Sequence, residues 1–161
     1  MAVDMFIKIG TIKGEAMDKD HKDEIDVLAW SWGMSQSGTT HMGKGGGSGK
    51  VSINDLSFTK WVDQATAPLM LKCATAEHIP EAVLTVRKAG GGKPLEYIVV
   101  KLKDLIVTSV STGGSGGEDR LTENITLNFA KVEYKYTSQN RDGSAGQQFP
   151  FGWDIEQNVK M

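Results

Sequence analysis

The sequence predicts a mainly β protein: an antiparallel β-barrel of two packed sheets, with one short flanking α-helix and a long β-hairpin. Three observations support this prediction. Apolar and polar residues alternate with a period of two in many segments, whereas helical periodicity is convincing in only one. Two β-rich arms of 16 residues each flank a glycine-rich turn. The 161 residues, 39% of them hydrophobic, are enough for one domain with a buried core, so we treat residues 1–161 as a single domain.

The first two strands are predicted near the N-terminus. Alternation over residues 5–9 indicates the first, and a second begins at Ile25. In the second strand, Trp30 and Trp32 belong to a bulky face that includes Asp26, Leu28 and Met34. We expect this face to meet the core. The opposite face, which includes Ser31, carries mostly small residues, so it can approach another surface or line a cavity.

A third strand and the helix follow. In residues 51–58 the apolar phase slips at residues 54–55, which predicts a β-bulge. Thr66 is the expected helix cap, and Pro68 falls in the first turn, where its missing N–H is harmless. The predicted apolar face of the helix comprises Leu69, Met70, Cys73, Ala74 and Ala76. A further strand is expected after residues 79–80.

The two arms are residues 95–110 and 121–136, and they predict a long hairpin. Because strands of this length exceed the usual range, we expect a bend at residues 103–104. After a polar loop at residues 137–152, one last strand is predicted around Trp153–Val159. The total of roughly eight strands favours closure as a barrel.

Glycine is unusually frequent, with 19 residues, of which 13 fall in three loops. Residues 38–45 match the spacing of a phosphate-binding loop through Lys44, but Gly45 replaces the hydroxyl residue that would bind Mg²⁺. A strand rather than a helix follows the loop. Nucleotide chemistry is therefore disfavoured.

Other kinds of function also lack support. The net charge is −2 and both signs are dispersed along the sequence, so no basic patch for binding nucleic acid is indicated. No apolar run is long enough for membrane insertion. The single Cys73 cannot form an intrachain disulfide, and His21, His41 and His78 lack metal-ligand spacing. We predict no cofactor, no metal and no catalytic site, and hence no enzyme.

Five segments together resemble one known family: VLAWSWGMSQSG (residues 27–38), the glycine loop that ends in GK (49–50), DLSFTKWVD (55–63), LTVRKAGG (84–91) and STGGSGGEDRLTENITLNFAK (111–131). They closely resemble the Hcp family, the haemolysin-coregulated proteins of bacterial type VI secretion. The resemblance runs from about residue 4 to about residue 136. Residues 137–152 depart from the pattern.

The resemblance implies a structural, secreted subunit. Six copies would form a ring, and stacked rings would form a tube that a contractile sheath propels, a spike protein tips and effector proteins occupy. Export by this route needs no Sec signal, which agrees with the N-terminal sequence MAVDMFIKIG. The protein would be cytoplasmic before export and extracellular afterwards.

The resemblance also suggests contact residues. Ser31 is a candidate for the lumen, with an ordinary strand residue as the alternative. The glycine loop is expected to reach a neighbouring subunit or ring through Gly38, His41, Met42, Lys44, Gly45, Gly46, Gly47 and Lys50. At the hairpin tip, Glu118, Asp119 and Arg120 either contact a neighbour or form a solvated charged turn.

One alternative comes from another functional class. A monomeric β-barrel that binds a small ligand or an oligosaccharide would use Trp30 and Trp32 as stacking platforms. Ligand protection of tryptophan fluorescence and a monomeric mass would favour this alternative over a tube subunit.

Overall fold

The computed structural model describes residues 3–38, 49–88 and 93–161. Within them the chain forms ten strands and one helix. The elements are β1 (Val3–Ile9), β2 (Ile25–Ser31), β3 (Met34–Gln36), β4 (Val51–Ile53), β5 (Leu56–Trp61), α1 (Thr66–Thr75), β6 (Ile79–Lys88), β7 (Leu95–Thr112), β8 (Thr122–Gln139), β9 (Ala145–Asp154) and β10 (Val159–Lys160). No described helix has the length and apolar character that crossing a membrane requires.

Six antiparallel strands close into a barrel in the order β8, β5, β2, β1, β6, β7, with β7 paired back to β8. β9 and β10 extend the sheet from β8, while β3 and β4 form a separate two-stranded ladder. The predicted fold class is confirmed.

The long β7–β8 hairpin links two layers of the barrel. The first sheet consists of β2, β5, the first half of β8 and the second half of β7. The second sheet consists of β1, β6, the first half of β7, the second half of β8, β9 and β10.

The hairpin bends where the sequence predicts it. Asp104 has a φ of 51°, a left-handed conformation that an extended strand does not use. Before it, the buried residues of β7 include Val100 and Leu102, and after it they include Leu105 and Val107. The side of the strand that faces the core therefore changes from even to odd positions at Asp104.

In β2 the predicted inward face is wrong for the first half. Ile25 and Val27 are buried, whereas Leu28 is 37% exposed. The pairing of β2 with β5 shifts register after Val27, which exchanges the two faces. Beyond the shift the prediction holds for Trp30 and Trp32, which pack against the core, and Ser31 on the other face is exposed. It is wrong for Met34, which is exposed.

The phase slip at residues 54–55 is a boundary between sheets rather than a bulge within one strand. β4 pairs with β3, and β5 begins at Leu56 in the barrel. The apolar phase changes there because the two strands face different surroundings.

The helix begins at Thr66 itself, so Thr66 is not the cap. The preceding Ala65 has helical dihedrals and provides no side-chain cap. The Thr66 hydroxyl donates instead to the Glu123 carboxylate. Leu69 is the one fully buried helical side chain, while Met70, Ala74 and Ala76 are exposed, so the predicted apolar face is only partly buried.

The C-terminal prediction is also wrong. Residues 137–152 are not a loop, since β8 continues to Gln139 and β9 returns along it from Ala145. The predicted last strand is interrupted by a turn at residues 155–158, where Asn158 has a φ of 54°. We call residues 134–139 of β8 together with β9 and β10 the wing.

A buried ionic cluster joins α1 to the barrel. Lys60 is fully buried, and its Nζ lies 2.6 Å from Glu123 Oε1 and 2.8 Å from Asp63 Oδ1. The same ammonium donates to the Trp61 carbonyl at 2.9 Å. One lysine thus supplies the positive charge for two carboxylates between β5, β8 and the start of α1.

Candidate functional site

The exposed face of the first sheet carries small uncharged side chains, which we call the polar face. Strand pairing places them in two rows: Ser31, Ser57, Thr126 and Ser109, then Ala29, Thr59, Asn124 and Ser111. The opposite face of the same strands is apolar, with Phe58 and Ile125 in the core. The alternation of the strands thus separates a core face from a hydrophilic face.

The polar side chains bond to one another across the strands. The Thr59 hydroxyl donates to Asn124 Oδ1 at 2.7 Å, and the hydroxyls of Ser57 and Thr126 share a hydrogen bond of 3.2 Å. Neutral, laterally paired groups offer neither a strong nucleophile nor a general base. The arrangement suits a smooth hydrophilic lining.

The polar face contains a shallow depression of about 190 Å³, beside Ala29, Ser31 and Thr59. Ligand sites usually occupy about 300–1,000 Å³. Trp30 and Trp32 are partly buried and pack against the core, and Trp32 also stacks on Tyr134 with ring centroids 6.1 Å apart. Trp30 also lines this depression, but its partly buried side chain packs against the core.

Within the described residues, the first sheet has an unpaired edge at each end. β1 pairs with β2 only at Ile25 and Asp26, so residues 28–31 of β2 have β5 on one side and no strand on the other. β6 pairs with β7 only as far as Leu105, so residues 106–112 of β7 have β8 on one side only. Ser31 lies at the β2 edge of the polar face.

The β3–β4 ladder is the base of the predicted contact loop. Gly38 and Lys50 are exposed at its two ends. The other predicted contact residues of the loop, His41, Met42, Lys44, Gly45, Gly46 and Gly47, lie outside the described residues.

The hairpin tip is exposed at Glu118, Asp119 and Arg120. The Arg120 guanidinium carbon lies 4.6 Å from the centroid of the Trp61 ring, a cation–π contact. Arg120 therefore ties the tip to β5, while the two acidic residues remain in solvent.

Sequence reasoning identified Ser31 but missed the rest of the polar face. The sequence does contain a pattern that indicates this face, because small polar residues alternate with apolar ones. Ser57 and Thr59 do so in β5, and Asn124 and Thr126 do so in β8. The register between strands, which aligns them into rows, depends on pairing that the sequence does not specify.

No group of three or more His, Cys, Asp or Glu side chains is placed to hold a metal ion in the part of the chain that the structure describes. His21 Nδ1 lies 2.9 Å from Glu24 Oε2, and His78 Nδ1 lies 2.7 Å from Asp104 Oδ1. Both histidines therefore have carboxylate partners.

Comparison with known proteins agrees with this architecture. The family model "Type VI secretion system effector, Hcp" matches residues 6–136. Protein hcp1 of Pseudomonas aeruginosa is 62% identical over 161 residues, covering 99% of each chain. A solved type six secretion system protein has a TM-score of 0.92 at 31% identity, covering 99% of this chain and 100% of its own. Hcp1 of Salmonella typhimurium has a TM-score of 0.83 at 40% identity, with both chains fully covered. This chain therefore belongs to the Hcp family of secreted type VI secretion proteins.

Proposed function

We propose that this chain is the repeated subunit of a type VI secretion tube, in which six copies form a ring and the rings stack. Membership of the Hcp family supports a tube-forming oligomer. The finer assignment rests on the first sheet, which has an unpaired edge at each end and a hydrophilic exposed face.

The two edges suit a head-to-tail ring. A contact between two different surfaces of one chain closes into a ring when the rotation between copies allows it. Residues 28–31 of β2 and residues 106–112 of β7 lie at opposite ends of the same sheet and carry no proline and no charge. Pairing them between copies would extend the first sheet around the whole ring through backbone hydrogen bonds.

In such a ring the polar face lines the lumen, and Ser31 lies near each junction between subunits. Small neutral side chains hydrate well and hold no fixed charge, so a lumen of this kind accepts effector proteins without trapping them electrostatically. Effector proteins are the proposed cargo, and the sheath and spike proteins the proposed partners. The subunit works without a cofactor and has a structural role rather than a catalytic one.

Stacking between rings is assigned to the glycine loop from Gly38 to Lys50 and to Glu118 and Asp119 of the hairpin tip. Gly38 and Lys50 at the base of the loop are exposed, and so are Glu118 and Asp119. In this proposal the subunit is made in the cytoplasm and exported through the type VI apparatus.

The mass in solution tests the ring. Size-exclusion chromatography with light scattering should give about six times the 17.5 kDa of one chain, and negative-stain images should show rings. A monomer at micromolar concentration, with no rings in the images, would contradict the proposal. That result would favour the alternative function, a monomeric β-barrel that binds a small ligand or an oligosaccharide.

Disulfide cross-linking tests the edges. In a Cys73→Ser background, Ser31→Cys is combined with Ser109→Cys or with Ser111→Cys. Paired edge residues have Cβ atoms about 4.5–5.5 Å apart, close to disulfide geometry. Oxidation should give a ladder of covalent species ending at six copies. Ser57→Cys, at the centre of the sheet, is the control and should give no ladder with either β7 cysteine.

A further inference from the structure

The wing has an aromatic face whose outer part, Phe149 and Phe151 of β9, is exposed. Tyr134, Tyr136, Phe149 and Phe151 share one side, because Tyr136 pairs with Phe149 and Tyr134 with Phe151. Phe149 stacks on Tyr136 with centroids 5.9 Å apart, yet Phe149 remains 49% exposed. Burial raises the pKa of the Tyr134 hydroxyl, with Tyr97 and Tyr136 adding to the effect, so this side of the wing stays neutral.

The wing is poorly suited to strand pairing. β9 has β8 on one side, and on the other side β10 pairs only with Trp153 and Asp154. The Met161 amide donates to the Gly152 carbonyl at 3.2 Å, so the backbone of Gly152 points to the outer edge. Pro150, two residues earlier, has the same orientation and no N–H to offer. A partner must therefore contact the wing mainly through side chains.

The helix α1 has a second uncovered apolar surface. Leu69 is buried beneath the helix, but Met70 is exposed and Leu71 is 61% exposed. Lys72 is the only charged residue of α1, and its ammonium lies 2.6 Å from the Glu77 carboxylate. An amphipathic helix in a monomer usually presents charged residues to solvent, and this one presents leucine and methionine.

These two surfaces lie on opposite sides of the β7–β8 hairpin. β9 extends the sheet from the edge of β8 that faces away from β7, while α1 packs against β7. β5 and its neighbour β2 lie on the same side of β8 as the wing. If the β2 edge of one copy pairs with the β7 edge of the next, this order of strands would bring the wing of the first copy towards α1 of the second.

We propose that the aromatic face of the wing packs on Met70 and Leu71 of α1 in the next copy, forming a second layer of contact outside the paired edges. This inference rests on the proposed ring. The occupant is a second copy because both surfaces belong to this chain and lie at its opposite ends, as a head-to-tail contact requires. Buried aromatic and apolar side chains are typical of the cores of stable homomeric interfaces.

Leu71→Glu tests the contact, with Met17→Glu as the matched control. Met17 is 93% exposed and lies on neither surface, so its substitution should leave assembly unchanged. Leu71→Glu should raise the protein concentration for half-assembly at least tenfold in light scattering, with the far-UV circular dichroism of the barrel retained. Phe149→Ser should have the same effect from the other side. Variants that assemble like the unmodified protein would overturn the proposal.

A cross-link separates this inference from the ring itself. In the Cys73→Ser background, Leu71→Cys with Phe149→Cys should give an oxidised ladder. If the edge cysteines at positions 31 and 109 or 111 form a ladder and this pair does not, the ring stands and the wing contact is wrong. If neither pair forms a ladder and the protein is monomeric, the proposed function fails first.

Discussion

Replacement of Lys60 should be among the most destabilising single changes in this protein. Lys60 is fully buried, and its ammonium lies within 2.8 Å of both Glu123 Oε1 and Asp63 Oδ1. Lys60→Met keeps most of the side-chain volume but leaves two buried carboxylates facing each other without a cation. Without Lys60 the Thr66 hydroxyl would still donate to Glu123, but Glu123 Oε2 has no hydrogen-bond partner and the negative charge would have no cation beside it.

Breaking a buried ion pair by removing one partner costs about 3–5 kcal/mol. Urea unfolding followed by circular dichroism should show a loss of this size at fixed protein concentration. Since each kcal/mol shifts Tm by about 2–4 °C in a chain of this length, Tm should fall by about 6–20 °C. Lys22→Met, at an exposed lysine, is the control and should change stability by less than about 0.5 kcal/mol.

The double variant Lys60→Met with Glu123→Gln tests the cause. Removing the unpaired charge of Glu123 should restore part of the lost free energy of unfolding, since an uncharged amide is less costly to bury than an unpaired carboxylate. A Lys60→Met variant within about 1 kcal/mol of the unmodified protein would refute the reasoning. So would a double variant less stable than Lys60→Met alone.

Three further changes follow from local contacts. Hydrogen bonds from Arg87 hold the pKa of Asp18 at about 2, below its usual 3.8, so this carboxylate stabilises the fold above pH 3.8 and stops doing so as the pH falls towards 2. Arg87→Met should flatten the pH dependence of unfolding in that window, and an unchanged slope would contradict the assignment. Phe58→Ala should cost about 3–5 kcal/mol in urea unfolding, because the ring fills the core. Gly14→Ala should lower Tm, because its Cβ would lie 2.5 Å from the Glu24 carbonyl oxygen, whereas Gly116→Ala, with open space around it, should not.

The parts of the fold that local patterns determine were predictable. The two long arms could be identified from their alternation, and their unusual length indicates that the strands bend. The polar Asp104 inside an apolar run marks the position of the bend. The barrel followed from the number of strands and the single helix. Membership of the family depended on the sequence motifs rather than on these patterns.

The errors in the strands have one physical origin, which is pairing with strands distant in the sequence. In β2, the register shift against β5 exchanges the inward face after Val27, and nothing in the local sequence marks it. β9 was missed because AGQQFPFGWD contains two glycines and a proline and buries only Asp154. Its strand geometry comes from pairing along β8, so only the fold reveals the wing and the surface that it exposes.

The exposed strand edges of this chain differ in whether they are protected against pairing. Exposed strand edges invite pairing, and natural proteins protect them with proline, charge or covering elements. β9 has Pro150 in its outer edge and β10 at its end. Residues 28–31 of β2 and 106–112 of β7 contain neither proline nor charge, and both end the first sheet. If all three edges faced solvent in the working protein, we would expect all three to be protected. This difference in protection is expected of a subunit whose β2 and β7 edges pair with neighbouring copies and whose β9 edge must stay unpaired.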